Sequence, residues 1–261
     1  LFGQRQPLIA MIHVPALPGT PTYAGDFSAV IKQVRAEALL LAEAGVDGLL
    51  LENMHDTPYL AREVGPEIVA GMTAAALAVK SVAPHLPCGV QILAGANPAA
   101  LAVALAADLQ FIRAEGFVFG HLADEGWLNS DAGQLLRYRK SMGAEHIAIY
   151  TDIKKKHSAH QLTVDVSLAE TARAATFFRT DGLIVTGTAT GEQVSQEDLR
   201  AVRAACPDVP LLIGSGITVH NSKDYHALAN GFIVGSALKY DGYWANAIDP
   251  NRVRALVAAF R

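Results

Sequence analysis

Apolar runs recur along this chain at the spacing of a strand-and-helix repeat. Eight of them read as strands: residues 7–14, 46–53, 88–95, 109–115, 146–153, 181–187, 209–216 and 230–236. Most are continuously apolar rather than alternating, as strands covered on both faces are. The segments between them carry helical patterns with starts and stops. Asp26 or Ser28 caps the first, which aligns Val30, Val34, Ala38 and Leu41 on one face and has Gly45 past its end. Pro66 suits the first turn of the second. Ser167 with Glu170 reads as a capping box, and Ser195 with Asp198 as a looser version of one. Asn221 caps a seventh helix, and Asp249-Pro250 starts the last. Eight strand–helix alternations predict an α/β fold, a single (β/α)8 TIM barrel over residues 1–261. An open doubly wound sheet is the alternative.

That architecture says where chemistry belongs. Sites of (β/α)8 barrels are built at the C-terminal ends of the strands. Four connections that follow strands are long, at 14–27, 53–65, 115–130 and 154–166, and they should gather on that face. Segment 117–127 reads as a lid or as an interface, which leaves a homo-oligomer open. The polar residues closing the strands are His13, Glu52 with Asn53, Gln91, Arg113 with Glu115, Asp152, Thr186, Ser215 and Ser236. Each has a plainer alternative: Gln91 bonds backbone in the helical layer, Glu115 sits in solvent, and Thr186 and the serines satisfy loop backbone. Arg113 sits inside an apolar run, where a guanidinium needs a carboxylate or an anion. Glu52 and Asp152 close buried strands and need donors or a cation. His13, Glu52, Arg113 and Asp152 are therefore the catalytic candidates, with His13 and a carboxylate suited to acid–base work. No cofactor is required by the sequence. Were a divalent metal bound, Glu52, His13 and Asp152 would hold it. His55-Asp56 and His157-x-x-His160 read as solvated loop residues.

The C-terminal quarter adds a second signal. Ile213-Gly214-Ser215-Gly216 and Val234-Gly235-Ser236 end the seventh and eighth runs, where such barrels commonly bind phosphate. Glycine lets backbone N–H groups approach an anion. Gly187, Gly214, Ser215, Gly216, Gly235 and Ser236 form the expected phosphate site. Residues 154–166 read as a mobile lid that brings Lys154 and Lys155 over the ligand.

Composition narrows the partners. A net charge of −4 carries no nucleic-acid footprint. No apolar stretch reaches the ~18 residues of a membrane span. Two cysteines, Cys88 and Cys206, fit a reducing compartment as buried inert thiols. The expected setting is cytoplasmic, or organellar if a leader preceded the first residue. No nucleophile elbow, P-loop or dinucleotide fingerprint is present.

Several segments resemble one known family. MIHVPALPGTP at 11–21, EAGVDGLLLEN at 43–53 and FIRAEGFVFGHLADEGWLNSDAG at 111–133 are similar to the BtpA/SgcQ family. YTDIKKKHS at 150–158, LIVTGTATG at 183–191 and IGSGIT at 213–218 support the likeness, which covers nearly the whole chain. The resemblance implies a TIM barrel of the ribulose-phosphate-binding kind. The family is named for a cyanobacterial protein needed for photosystem I accumulation, yet has members in non-photosynthetic organisms. Some relatives are labelled phosphoribosylanthranilate isomerase, which uses a Cys base after strand one and an Asp acid after strand six. Here those positions hold His13 and Thr186-Gly187, so that pattern is not matched. The expected function is an enzyme acting on a small phosphorylated metabolite, a sugar phosphate or phosphoribosyl compound, by isomerase, lyase or hydrolase chemistry. The alternative is a non-catalytic assembly factor that uses the barrel as a scaffold.

Overall fold

The computed structural model describes residue 2, residues 6–187 and residues 192–261. Eight parallel strands close into a barrel: β1 (Leu8–His13), β2 (Gly48–Glu52), β3 (Cys88–Gln91), β4 (Phe111–Ala114), β7 (Ala148–Asp152), β9 (Gly182–Val185), β10 (Leu211–Ile213) and β11 (Gly231–Val234). Their order around the barrel is β1-β11-β10-β9-β7-β4-β3-β2. Register is tight: His13 pairs with Glu52, and Glu52 with Gln91.

Side chains alternate along each strand, and this separates two cores. Ile9, Met11, Leu50, Phe111, Tyr150, Ile184, Leu212 and Ile233 fill the lumen. A larger cluster, including Leu8, Ala10, Ile12, Leu49 and Leu51, lies between strands and helices. Ring packing in the lumen depends on two strand glycines. A Cβ on Gly89 would fall 2.3 Å from the Phe111 ring, and one on Gly182 would fall 2.2 Å from Tyr150. The same alternation, continued one step past the lumen core, carries His13, Glu52, Gln91, Arg113 and Asp152 to the inward face at the C-terminal end.

The helices are α1 (Phe27–Ala44), α2 (Pro66–Val82), α3 (Asn97–Ala106), α4 (Ala132–Ser141), α5 (Leu168–Phe177), α6 (Gln196–Ala205) and α7 (Pro250–Ala259). Asp26 rather than Ser28 caps α1, accepting from the Ala29 amide, and Gly45 ends it in the left-handed region. Ser167 and Glu170 form the full capping box of α5. Ser195 caps α6 and Asp249 caps α7. The seventh helix is a correction. Residues Ser222–Tyr225 make only a 3-10 turn, and Asn221 does not cap it. Asn221 instead closes the preceding turn, accepting from the Thr218 amide and donating to the Gly216 carbonyl, so its side chain is already used.

Two of the long connections are not separate loops. β5 (His121–Ala123) and β6 (Gly126–Leu128) form a hairpin, and β8 (Ser158–Ala159) pairs with β5. The 154–166 connection, expected as a mobile lid, is joined to 115–130 in one small antiparallel sheet. Arg62 ties a third connection to them. It donates to the Gly95, Glu115 and Gly116 carbonyls and lies 2.9 Å from Asp131. Cys88 and Cys206 are free and buried. Among the described residues, no helix is long and apolar enough to cross a membrane.

Candidate functional site

A cavity of 780 Å³ opens at the C-terminal end of the barrel. Both glycine turns line it, through Gly214, Ser215, Gly216, Gly235 and Ser236, and so do His13, Glu52, Arg113 and Lys155. The backbone of the turns is shaped for close approach. Gly216 has φ +74, and a Cβ there would fall 2.0 Å from the Glu192 carbonyl oxygen. A Cβ on Gly235 would fall 3.1 Å from His13 Nε2. Among the described residues, the amides of Ser215, Gly216, Ser236 and Ala237 make no protein hydrogen bond. Gly187 is a correction: its amide donates to Ser215 Oγ at 2.9 Å, and it does not line the cavity. It braces the turn rather than offering a donor.

The opposite wall is built from charged side chains. His13 closes β1 and is 4% exposed. Its Nδ1 lies 3.0 Å from the Trp244 carbonyl, which only accepts, so Nδ1 carries the hydrogen and Nε2 is an acceptor. Nε2 lies 3.8 Å from Glu52 Oε2. Burial, helped by Lys239, pushes the His13 imidazole down to about 3. Burial also raises the Glu52 carboxyl, with Arg113 and Lys156 pulling against it. The pair therefore favours a neutral imidazole beside a carboxyl that retains its proton more readily than usual.

Arg113 and Asp152 form a bidentate pair, Nε to Oδ2 at 2.8 Å and Nη2 to Oδ1 at 3.0 Å. Both are buried. Despite burial, Asp152 holds the Arg113 guanidinium above its ordinary range. Arg113 reaches the cavity and Asp152 does not line it. Asp152 thus positions Arg113, and its place among the catalytic candidates is corrected to that extent. The metal set of Glu52, His13 and Asp152 does not assemble. Both Asp152 oxygens face Arg113, and among the described residues no three His, Cys, Asp or Glu side chains converge on one point.

The lysines also separate. Lys154 Nζ donates to the Val166 carbonyl at 2.8 Å and lies outside the cavity lining, so it holds its own loop. Lys155 pairs with Glu125 and lies 3.6 Å from Glu115. Burial opposes its charge, yet Glu115 and Glu125 outweigh this and raise its pKa. Lys156 lines the cavity without a carboxylate at ion-pair distance among the described residues, and burial lowers its pKa. His160 Nε2 meets the Lys155 carbonyl, and Asp56 binds the Leu17 amide and Asn53, so neither is a free loop group.

A family profile, described as the BtpA family, matches residues 4–261. The chain belongs to the BtpA family. Similar to it is an uncharacterized mitochondrial protein of Caenorhabditis elegans, 52% identical over 258 residues, covering 97% of this chain and 92% of the relative. The Photosystem I biogenesis protein BtpA of Synechocystis sp. is 34% identical over 258 residues, covering 99% and 89%. Among solved structures, phosphoribosyl anthranilate isomerase from Thermus thermophilus aligns with TM-score 0.56 at 16% identity, over 97% of each chain. Orotidine 5'-monophosphate decarboxylase from Methanocaldococcus jannaschii, complexed with inhibitor BMP, aligns with TM-score 0.60 at 11% identity, over 98% and 99%. At those identities the likeness is one of fold.

Within this BtpA-family chain, sequence reasoning missed several cavity residues. Glu115 and Gln91 close strands but stand outside the expected catalytic set, with solvent and the helical layer as their alternatives, yet both are buried and line the cavity. The period-two step from Phe111 through Arg113 already pointed Glu115 inward. Lys156, Trp244 and Arg252 line it as well, and no local pattern singles out any of the three within its segment.

Proposed function

We propose that the protein is an enzyme acting on a small phosphorylated metabolite, a sugar phosphate or phosphoribosyl compound, by isomerase, lyase or hydrolase chemistry. One observation carries this reading: a single cavity joins the two glycine turns to the His13–Glu52 and Arg113–Asp152 pairs. The unpaired turn amides suit phosphate oxygens, and Lys156 adds positive potential within the same cavity. Nε2 of the neutral His13 imidazole accepts a hydrogen bond from the ligand, Glu52 supplies a proton, and Arg113, held by Asp152, orients or polarises an oxygen of the ligand. Two solved structures of like fold bear the names of enzymes of a phosphoribosyl compound and of a nucleoside monophosphate, which agrees with this class. The assembly-factor alternative leaves the charged cavity without a role.

Crystals grown in phosphate or sulfate test the reading. The expected result is an anion within hydrogen-bond reach of the amides of Gly216 and Ser236. Saturating titration of inorganic phosphate should also raise the thermal midpoint, by the mass-action stabilisation of a ligand that binds only the folded state. An anion bound elsewhere, with the turn amides shielded by protein, removes the phosphate site and the substrate class with it.

A further inference from the structure

Two buried acceptors on the cavity wall have nothing to accept from. Gln91, at the end of β3, is 2% exposed, and Glu115, just past β4, is 4% exposed. Gln91 Nε2 donates to Glu115 Oε1 at 3.0 Å. That bond fixes the amide, and among the described residues it leaves Gln91 Oε1 and Glu115 Oε2 without a hydrogen-bond partner. Lys155 Nζ stands 3.6 Å from Glu115 Oε2, an ion pair rather than a hydrogen bond. Buried polar atoms are almost always partnered, because an unpartnered one has lost its water and gained nothing in return. Two together, on side chains that line the cavity, mark a place where the partner arrives with a ligand.

The chemistry of the two atoms restricts that partner. An amide oxygen only accepts. A carboxylate oxygen accepts when ionised, and donates only when protonated. Burial pushes the Glu115 carboxyl up to about 7, with Lys155 pulling it down and Asp152 pushing it further, so both forms exist near neutrality. A hydroxyl satisfies either form, because it both donates and accepts. A ligand carboxylate brings no donor, and would meet Gln91 Oε1 as one acceptor against another.

Topology places this pair relative to the phosphate. In the barrel order, β3 is four strands from β10, and β4 is four strands from β11, so Gln91 and Glu115 lie across the mouth from the glycine turns. We propose that Gln91 and Glu115 form a hydroxyl-recognising subsite that selects the polyol end of a phosphorylated ligand over a phosphorylated carboxylic acid. This deepens the phosphate reading and rests on it for the other end of the ligand.

The test compares three probes, ribitol phosphate, erythronate phosphate and inorganic phosphate, by calorimetric titration of the full chain. Ribitol phosphate should bind tightest. Gln91→Leu should weaken it about tenfold, the worth of one hydrogen bond to a buried acceptor, and leave inorganic phosphate unchanged. If Gln91→Leu does not fold, Glu115→Gln gives the same readout. It replaces an acceptor oxygen with a donor, and should shift preference toward erythronate phosphate. Equal affinities of ribitol phosphate and inorganic phosphate overturn the subsite, as does a preference that no variant alters. Failure of inorganic phosphate to displace ribitol phosphate overturns the phosphate reading instead. Free ribitol then decides the subsite alone: a shifted Gln91 side-chain amide resonance supports it, and an unmoved one overturns it.

Discussion

The two walls of the cavity are made of different materials. The wall at β10 and β11 is backbone: glycine turns and a 3-10 turn at Ser236–Leu238, with N–H groups that make no protein hydrogen bond among the described residues. The wall at β1, β2, β3, β4 and β7 is side chain: carboxylates, lysines, an arginine and a histidine, most already paired with one another. A backbone wall works by leaving donors unused. A side-chain wall works by balancing charges that burial would otherwise neutralise. The first tolerates no added atom, while the second tolerates no missing partner.

The largest expected effect tests the second clause. Asp152→Ala strands the Arg113 guanidinium in a buried site and should cost about 3–5 kcal/mol in denaturant unfolding. A loss below 1 kcal/mol would mean that Glu52 or solvent takes over the arginine, and that the wall is looser than its geometry.

The first clause is tested at Gly216. An alanine there would adopt φ +74 and press a methyl group on the Glu192 carbonyl. Gly216→Ala should cost about 2 kcal/mol or more and abolish phosphate binding. Retained phosphate affinity would remove the 214–216 turn from the site.

Acidity of the side-chain wall gives a pH signature of similar size. Glu115 has its pKa raised from 4.5 to about 7. Between those values the folded state holds a proton that the unfolded state releases. Its contribution to stability is complete below pH 4.5 and is lost as pH rises through about 7. Glu115→Gln should flatten stability over that window, by something on the order of 2 kcal/mol. The measurement is unfolding free energy across pH, wild type against variant, and parallel curves would place Glu115 in water.

The smallest effects separate two neighbouring lysines. Lys156→Ala should weaken anion binding by less than about 1 kcal/mol, with the difference shrinking at high salt. Lys154→Ala should leave anion affinity unchanged, since its ammonium serves the Val166 carbonyl. The reverse order would restore Lys154 to the cavity.

Much of this was legible from residues alone. The eight apolar runs, the caps at Asp26, Ser167, Ser195 and Asp249, and the positions of both glycine turns follow from local rules. Burial on two faces needs continuous apolar runs, caps satisfy orphan amides within three residues, and glycine marks special backbone. His13, Glu52 and Arg113 were visible because a polar residue closing an apolar strand stands out against its neighbours. Pairing was not visible. That Arg113 takes Asp152, that Gln91 takes Glu115, and that Lys239 reaches Glu37 at 3.5 Å join positions 39, 24 and 202 residues apart. Such pairs depend on strand order and register, which closure of the barrel sets. The 154–166 connection pairs with the β5–β6 hairpin for the same reason: two loops that leave adjacent barrel strands, β4 and β7, meet over the rim. The sequence by itself determined which residues could be inside and where the chain turns. Only the tertiary structure decided which buried charges neutralise one another, and so which polar atoms are left for a ligand.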